Sequence, residues 1–150
     1  MPRTYSQLLL HITFSTKYRT PWINDECAKH LYPLIGGIIR KEGGALLERG
    51  GIADHLHLYI RWRPDESISN LMRVVKSRSS AWIHETYPKL AEFAWQEGYA
   101  AFTVSKSNEE AVKHYIANQE EHHRNFDFKA ELQKLLQAHQ IEYDERYAFD

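Results

Sequence analysis

The sequence has little cysteine, no long apolar run and almost no excess of either charge. A single cysteine, Cys27, excludes an internal disulfide and is typical of a protein in a reducing compartment. No apolar run approaches the length that spans a bilayer. The first residues lack the basic, apolar and small-residue zones of a signal peptide. We therefore expect a cytoplasmic protein that has no contact with a membrane.

The charge balance limits what kinds of partner the whole chain can attract. It has 19 basic and 20 acidic residues and a net charge of −1. That composition does not indicate a nucleic-acid-binding protein, so any such binding would depend on local basic patches.

The chain does have enough apolar residues to build one core. Hydrophobic residues make up 43% of its 150 positions, which is typical of a folded domain of this length. No linker or repeat divides it. We predict one domain over residues 1–150, with a core over about 5–124 and a C-terminal helical tail over 125–150.

Two histidines separated by one leucine, His55-Leu56-His57, lie inside an alternating apolar run. In a strand, alternate side chains point to opposite faces, so His55, His57 and Tyr59 should share one face. Imidazole is a common metal ligand. The pair therefore predicts half of a metal site on a strand.

The hydrophobic pattern predicts four strands and up to four helices. The strands are predicted at residues 6–14, 45–48, 52–61 and 98–104. The helices are predicted from Asn24 or Asp25 to about Lys41, from Ser67 to Tyr87, from Ser107 onward, and near residues 129–139. The order βαββαβ is that of the ferredoxin-like unit, an antiparallel sheet with two helices on one face. The predicted class is α+β, with an additional third helix and a C-terminal helix.

Two short sequence signals predict where particular strands and helices begin or end. Gly50-Gly51 predicts a turn between the two middle strands. Ser107-Asn108-Glu109-Glu110 has the spacing of a capping box and predicts the start of the third helix.

Tyr115 and Gln119 lie four residues apart on the predicted third helix and so share one of its faces. Gln119 offers a neutral oxygen that could join His55 and His57 on a metal, and Asp54 could orient His55. The phenol of Tyr115 can act as a nucleophile, and a divalent ion would polarise its target. Two imidazoles and an amide leave positions open for phosphate oxygens and water, which suits Mg²⁺ or Mn²⁺ better than a closed zinc site.

With these residues the chain resembles the single-tyrosine HUH transposases of the insertion-sequence-200/605 type. Their histidine-hydrophobic-histidine motif corresponds to His55-Leu56-His57, and their nucleophile helix to Tyr115-Ile116-Ala117-Asn118-Gln119. The stretches 11–19 and 95–105 are also similar, and the resemblance extends from about Tyr5 to Arg124.

The resemblance implies a DNA transposase that acts on single-stranded DNA with hairpin ends. It implies that Tyr115 attacks the scissile phosphate, giving a 5′-phosphotyrosine link and a free 3′-hydroxyl. It also implies that His55, His57 and Gln119 hold the divalent metal, Mg²⁺ or Mn²⁺. Proteins of this family work as homodimers, in which the tyrosine helix can complete the partner's site.

Several basic and aromatic residues are candidates for DNA contact. The predicted phosphate contacts are Lys17, Arg19, Arg61, Arg63, Arg73, Lys76 and Arg78. The candidates for stacking on unpaired bases are Trp62, Trp95, Tyr99 and Phe102.

Two other functions stay open. A domesticated relative would cut single strands at repeated hairpins without moving itself. A non-catalytic nucleic-acid-binding module with a ferredoxin-like sheet would need neither Tyr115 nor a metal.

The other histidines and the last helix have ordinary explanations. We expect His11 to be a structural residue of the first strand, and His122 and His123 to be solvated helix residues. We expect the helix near 129–139 to be a packing or dimer helix.

Overall fold

The protein is built on a four-stranded antiparallel sheet, seen in a computed structural model that describes residues 4–124 and 127–145. The strands are β1 (Leu8–Ser15), β2 (Ala45–Ile52), β3 (His55–Trp62) and β4 (Ala100–Thr103), in the order β2-β3-β1-β4. The helices are α1 (Asp25–Lys41), α2 (Ile68–Thr86), α3 (Glu109–Ala117), α4 (Gln119–His122) and α5 (Phe128–Ala138). This order and pairing confirm the predicted α+β, ferredoxin-like fold.

Alternation along β1 and β3 gives the sheet two different faces. The first face is apolar and packs against α1 and α2; its central residues are Leu10, Ile12, Phe14, Leu56, Leu58 and Ile60. The second face is polar near its centre; its residues include His11, Thr13, His55, His57 and Tyr59. Cross-strand register places Thr13 opposite His57 and His11 opposite Tyr59. The main core therefore lies under the first face, which leaves the second for polar side chains.

The two helices over the first face begin where the sequence predicts. The side chain of Asn24 accepts a hydrogen bond from the Cys27 amide at the start of α1, and Ser67 does the same for the Asn70 amide at the start of α2. Pro33 lies inside α1 without ending it. Both helices are therefore confirmed.

The predicted turn at Gly50-Gly51 is wrong. Both glycines lie inside β2, opposite His57 and Leu56, and the chain turns at residues 53–54 instead. A Cβ atom at Gly50 would overlap the carbonyl oxygen of Ile116 in α3. The glycine is needed because the helix backbone approaches the strand at this point.

We expect Gly50→Ala to lower the free energy of unfolding by about 1–3 kcal/mol, because the added methyl group meets backbone that no rotamer change can move. Gly37→Ala is the matched control. Gly37 lies within α1, and the nearest atom to an added Cβ is the Arg40 Nη2 at 4.0 Å. That change should stabilise the helix by up to about 1 kcal/mol. Urea unfolding of both variants measures the difference, and equal values would contradict the proposed close approach.

The start of α3 also differs from the sequence prediction. Asn108 takes the N-cap position, and its side chain accepts no capping hydrogen bond, so the predicted capping box does not form. Glu109 instead accepts hydrogen bonds from the Tyr59 hydroxyl and the Lys106 ammonium, each at 2.7 Å. The bond from Tyr59 ties the first turn of α3 to β3.

Tyr115 and Gln119 do not share one helix as predicted. The helix is interrupted at Asn118 (φ −105°, ψ 32°), so Tyr115 lies near the end of α3 and Gln119 begins α4. The side-chain Nε2 of Gln119 donates a hydrogen bond to the backbone carbonyl of Tyr115 at 3.2 Å, which keeps the two residues together.

The predicted C-terminal helix is confirmed as α5. Its residues Phe128, Leu132 and Leu136 form a second, small core with Phe102 of β4. Of the predicted tail, residues 125–126 and 146–150 lie outside the described residues, and the domain limits stay a prediction. Within the described ranges, no helix combines the length and apolarity that crossing a membrane requires. The cytoplasmic location stays a prediction.

Candidate active site

Three elements bring the four predicted site residues together on the second face. His55 and His57 project from β3 and are fully buried. Gln119 of α4 places its Oε1 atom 3.1 Å from the Nε2 atom of His55. Tyr115 of α3 lies beside them, with its ring centroid 5.8 Å from that of His57. These positions agree with one site, while the roles assigned to the residues stay predictions.

A carboxylate that the sequence did not assign to the site lies at its centre. Glu131 of α5 is 1% exposed. Its Oε1 atom lies 2.9 Å from the Nε2 atom of His57 and 3.3 Å from that of His55. Its Oε2 atom accepts a hydrogen bond from the Tyr115 hydroxyl. The interpretation of this helix as a packing or dimer helix is therefore incomplete.

One sequence signal could have identified Glu131. On α5 it occupies the same stripe as Phe128, Leu132 and Leu136, which are all buried. A carboxylate on an otherwise apolar stripe is rarely buried without a partner.

The two histidines at the end of α4, His122 and the following His123, differ in exposure. The side chain of His123 is 2% exposed, and its Nε2 atom lies 3.0 Å from Glu131 Oε1. The expectation that His123 is solvated is therefore wrong. His122 is more open, with its ring centroid 4.8 Å from that of Tyr115.

The second ring nitrogen of each motif histidine also has a partner. His55 Nδ1 contacts Asp54 Oδ1 at 2.8 Å, which confirms the contact predicted for Asp54. His57 Nδ1 contacts His11 Nε2 at 2.7 Å. These contacts turn both Nε2 atoms toward Glu131, so His11 supports the site as well as the strand.

Burial and neighbouring charges fix the protonation of the buried groups. Burial lowers the pKa of His11 to about 3 and that of His57 to about 4, so both are neutral near pH 7. Burial also acts against the charged form of His55, but its bonds with Asp54 and Glu131 prevail and raise its pKa to about 9. Burial raises the pKa of Glu131, yet the bonds from His123, His55 and His57 hold it far below its usual range. The metal-free site therefore pairs a carboxylate with an imidazolium.

The environment of Tyr115 keeps its hydroxyl protonated. Burial, together with the nearby charge of Glu131, raises the pKa of the phenol above its ordinary value. Near neutral pH the residue is a phenol that donates to Glu131, and any reaction at its oxygen needs a proton acceptor.

The donor set fits a divalent metal. His55, His57, His123 and Glu131 each offer one ligand atom, and these atoms lie within 4.8 Å of one another. Opposite ligands of a first-row ion, each at about 2.1 Å, are about 4.2 Å apart, so this spacing is close to that of a coordination shell. Partners on the outer nitrogens, as on His55 and His57, are typical of metal-binding histidines.

The predicted DNA-contacting residues are spread over both sides of the sheet. Lys17 and Arg61 are exposed, and Arg19 is half-buried. Arg61 lies within β3, on the second face. Arg63 pairs with Asp65 at 2.6 Å. Arg73 and Arg78 are exposed on α2, which covers the first face, away from the histidines. Their roles stay predictions.

Lys76 of α2 is engaged within the protein. Its ammonium donates to the carbonyl of Gln96 at 2.8 Å and also to the carbonyl of Gly98. It also lies 5.6 Å from the centre of the Phe14 ring.

The aromatic candidates for stacking are mostly buried. Trp62, Trp95 and Phe102 are each less than 10% exposed, so these three cannot stack on bases as predicted. Tyr99 is half-buried.

Lys76 should make stability depend on pH. Burial lowers its pKa to about 8, although Glu97 acts in the opposite direction. Between pH 8 and its ordinary pKa of 10.5 the unfolded chain binds a proton that the folded chain has lost, so stability rises with pH in this window. After allowance for solvent screening we expect a gain of about 1 kcal/mol. Urea unfolding of the wild type and Lys76→Met from pH 8 to 10 tests this, since the stability difference should change with pH; a constant difference would contradict it.

Comparison with known proteins decides the family. Residues 4–119 match the sequence model described as transposase IS200-like. The chain belongs to the IS200-like transposase family. It is 32% identical, over 119 residues, to the transposase for insertion sequence element IS200 of Salmonella typhimurium, covering 73% of this chain and 74% of that protein. It is 26% identical, over 118 residues, to the ISDra2 transposase TnpA of Deinococcus radiodurans, covering 75% and 84%.

Solved structures agree with this IS200-like assignment. A crystal structure of a Deinococcus radiodurans protein assigned as a transposase has a TM-score of 0.66 and 25% identity, covering 79% of this chain and 95% of that one. A REP-associated tyrosine transposase bound to a REP hairpin has a TM-score of 0.57, with 77% and 68% covered; at 16% identity it shows the shared fold alone. The family match ends at Gln119, so His123 and Glu131 lie beyond it.

Proposed function

We propose that this transposase cleaves and rejoins single-stranded DNA through a covalent link to Tyr115, and so moves a short insertion element. The main observation in its favour is the position of the Tyr115 hydroxyl, which contacts Glu131 within the histidine cluster. A surface or core tyrosine in a binding module would have no need of that setting. Family membership supports the same reaction class.

The proposed cleavage is a transesterification. The phenolic oxygen of Tyr115 forms a bond to the scissile phosphorus, and the bond from phosphorus to the 3′ oxygen breaks. The leaving oxygen takes up a proton and becomes a free 3′-hydroxyl. The downstream strand stays on the enzyme as a 5′-phosphotyrosine, and attack by a 3′-hydroxyl on that link reverses the step and joins the strands.

Glu131 is positioned to relay the phenolic proton. Its Oε2 atom accepts a hydrogen bond from the phenol, and because its own pKa is held far below the usual range, it would pass the proton on as the new bond forms rather than keep it. Because the pKa of Tyr115 is raised by burial, a nearby acceptor matters more here than for a solvated tyrosine.

The proposed metal, Mg²⁺ or Mn²⁺, would be held by His55, His57 and Gln119. When bound, such an ion polarises phosphate oxygens and neutralises developing charge. Asp54 and His11 hold the two imidazole rings so that their Nε2 atoms face the site. The proposed partners are hairpin-containing single-stranded DNA and a second copy of the chain.

The test uses single-stranded oligonucleotides that carry the hairpins flanking the protein's own gene, with Mg²⁺ or Mn²⁺. A label at the 3′ end should move with the protein on a denaturing gel, and a label at the 5′ end should appear on a shortened free strand. A fully paired duplex is the control and should give no adduct. Binding without any adduct would favour the non-catalytic module, and adducts only with repeated hairpins from elsewhere in the genome would favour the domesticated endonuclease.

A further inference from the structure

We propose that Glu131 and His123 are ligands of the divalent metal, and that the resulting site takes a first-row transition-metal ion in preference to Mg²⁺. This inference rests on the proposed function, because it concerns the same metal centre. It adds a carboxylate and a third imidazole from a part of the chain that lies beyond the family match, which ends at Gln119.

The contacts of one oxygen atom support this assignment. Glu131 Oε1 faces three Nε2 atoms, at 2.9 Å from His57, 3.0 Å from His123 and 3.3 Å from His55. A cation among these atoms satisfies the nitrogen lone pairs and the carboxylate together. The four donor atoms, within 4.8 Å of one another, already form a compact group.

The packing of α5 explains how the carboxylate reaches the site. Phe128, Leu132 and Leu136 anchor the helix against Phe102, and this fixes the face that bears Glu131. A buried carboxylate is costly unless it is paired or binds a metal. A helix that served only for packing would be more stable with an apolar residue at this position.

The chemistry of the donors sets the metal preference. Mg²⁺ favours oxygen ligands and keeps several water molecules. Imidazole nitrogen favours ions such as Mn²⁺, Fe²⁺ and Zn²⁺, and two or three histidines with one carboxylate are typical of such centres. With His55, His57, His123 and Glu131 as ligands, three ligand atoms are imidazole nitrogens and one is a carboxylate oxygen. This donor set favours a transition-metal ion over Mg²⁺.

The test is a Mn²⁺ titration of the full-length, chelator-stripped protein, followed by the electron paramagnetic resonance signal of free Mn²⁺. We expect the wild type to bind one Mn²⁺ per chain and to keep it in a roughly hundredfold excess of Mg²⁺. Glu131→Gln and His123→Asn should each weaken Mn²⁺ binding about tenfold or more. Glu142→Gln, which changes an exposed glutamate, is the matched control and should bind as the wild type does. Circular dichroism verifies that each variant is folded, and His123→Asn carries the test if Glu131→Gln does not fold.

Several results would overturn the inference: no Mn²⁺ binding by the wild type, displacement of Mn²⁺ by Mg²⁺, or wild-type affinity in both ligand variants. The last would mean that Glu131 and His123 form only an ion-pair network. Glu131-dependent Mn²⁺ binding without a DNA adduct would refute the proposed function and leave this inference standing. A DNA adduct formed by the wild type, together with metal binding that does not depend on Glu131, would support the proposed function and refute this inference.

Discussion

Tyr115→Phe should abolish the covalent protein–DNA adduct while leaving the fold and the binding of single-stranded DNA largely intact. The substitution removes only the oxygen that would form the bond to phosphorus. The ring keeps its contacts with His57 and His122. Loss of the hydrogen bond to Glu131 should lower the free energy of unfolding by about 1 kcal/mol. Adduct yield on a denaturing gel, DNA affinity and urea unfolding measure the three effects.

Tyr5→Phe is the matched control for this prediction. Tyr5 is 95% exposed and lies outside the cluster, so its loss should leave the adduct unchanged. An adduct of wild-type yield from Tyr115→Phe would mean that another residue is the nucleophile, even if the transposase reaction itself is correct. Loss of DNA binding together with the adduct would indicate that Tyr115 acts in recognition.

His57→Asn should reduce the rate of adduct formation about a hundredfold or more, because it removes an imidazole ligand at the centre of the proposed metal site. Chelation of divalent metal should reduce the rate of adduct formation by the wild type by a similar factor. The chelator should cause little further loss of rate in His57→Asn. His57 is fully buried between His11 and Glu131, so asparagine, which stays polar, is preferred to an apolar residue.

His30→Asn provides the control, since His30 lies on the exposed side of α1, away from the cluster, and pairs with Glu26 of the same helix. Time courses with saturating DNA separate a slower reaction from weaker binding. Full activity of the wild type in the presence of a chelator would exclude the metal, and full activity of His57→Asn would exclude this residue as a ligand.

The sheet could be predicted because its signal is local. Alternation along β1 and β3 is present in the sequence itself, and it correctly assigns His55 and His57 to one face. The same is true of the starts of α1 and α2, where Asn24 and Ser67 act within one turn.

The errors arose where a distant contact decides the meaning of a local signal. A Gly-Gly pair favours a turn, but it also allows another backbone to approach closely, and only the position of Ile116 separates the two cases. Glu131 is a similar example. The sequence shows that a helix is present near residues 129–139, but not that the helix packs on the histidine-bearing face of the sheet. The interruption at Asn118 has no local signal that we can identify.

The distribution of aromatic residues has a spectroscopic consequence. All four tryptophans lie on the side of the first face: Trp62 and Trp95 are buried in its core, and Trp22 and Trp82 pack against that core. Residues of the histidine cluster lie on the other side of the sheet, so indole emission should follow melting of that core and respond weakly to events at the proposed metal site. A tyrosine-selective probe would be needed to follow the cluster, and the two signals together would distinguish loss of the whole fold from local opening on one side.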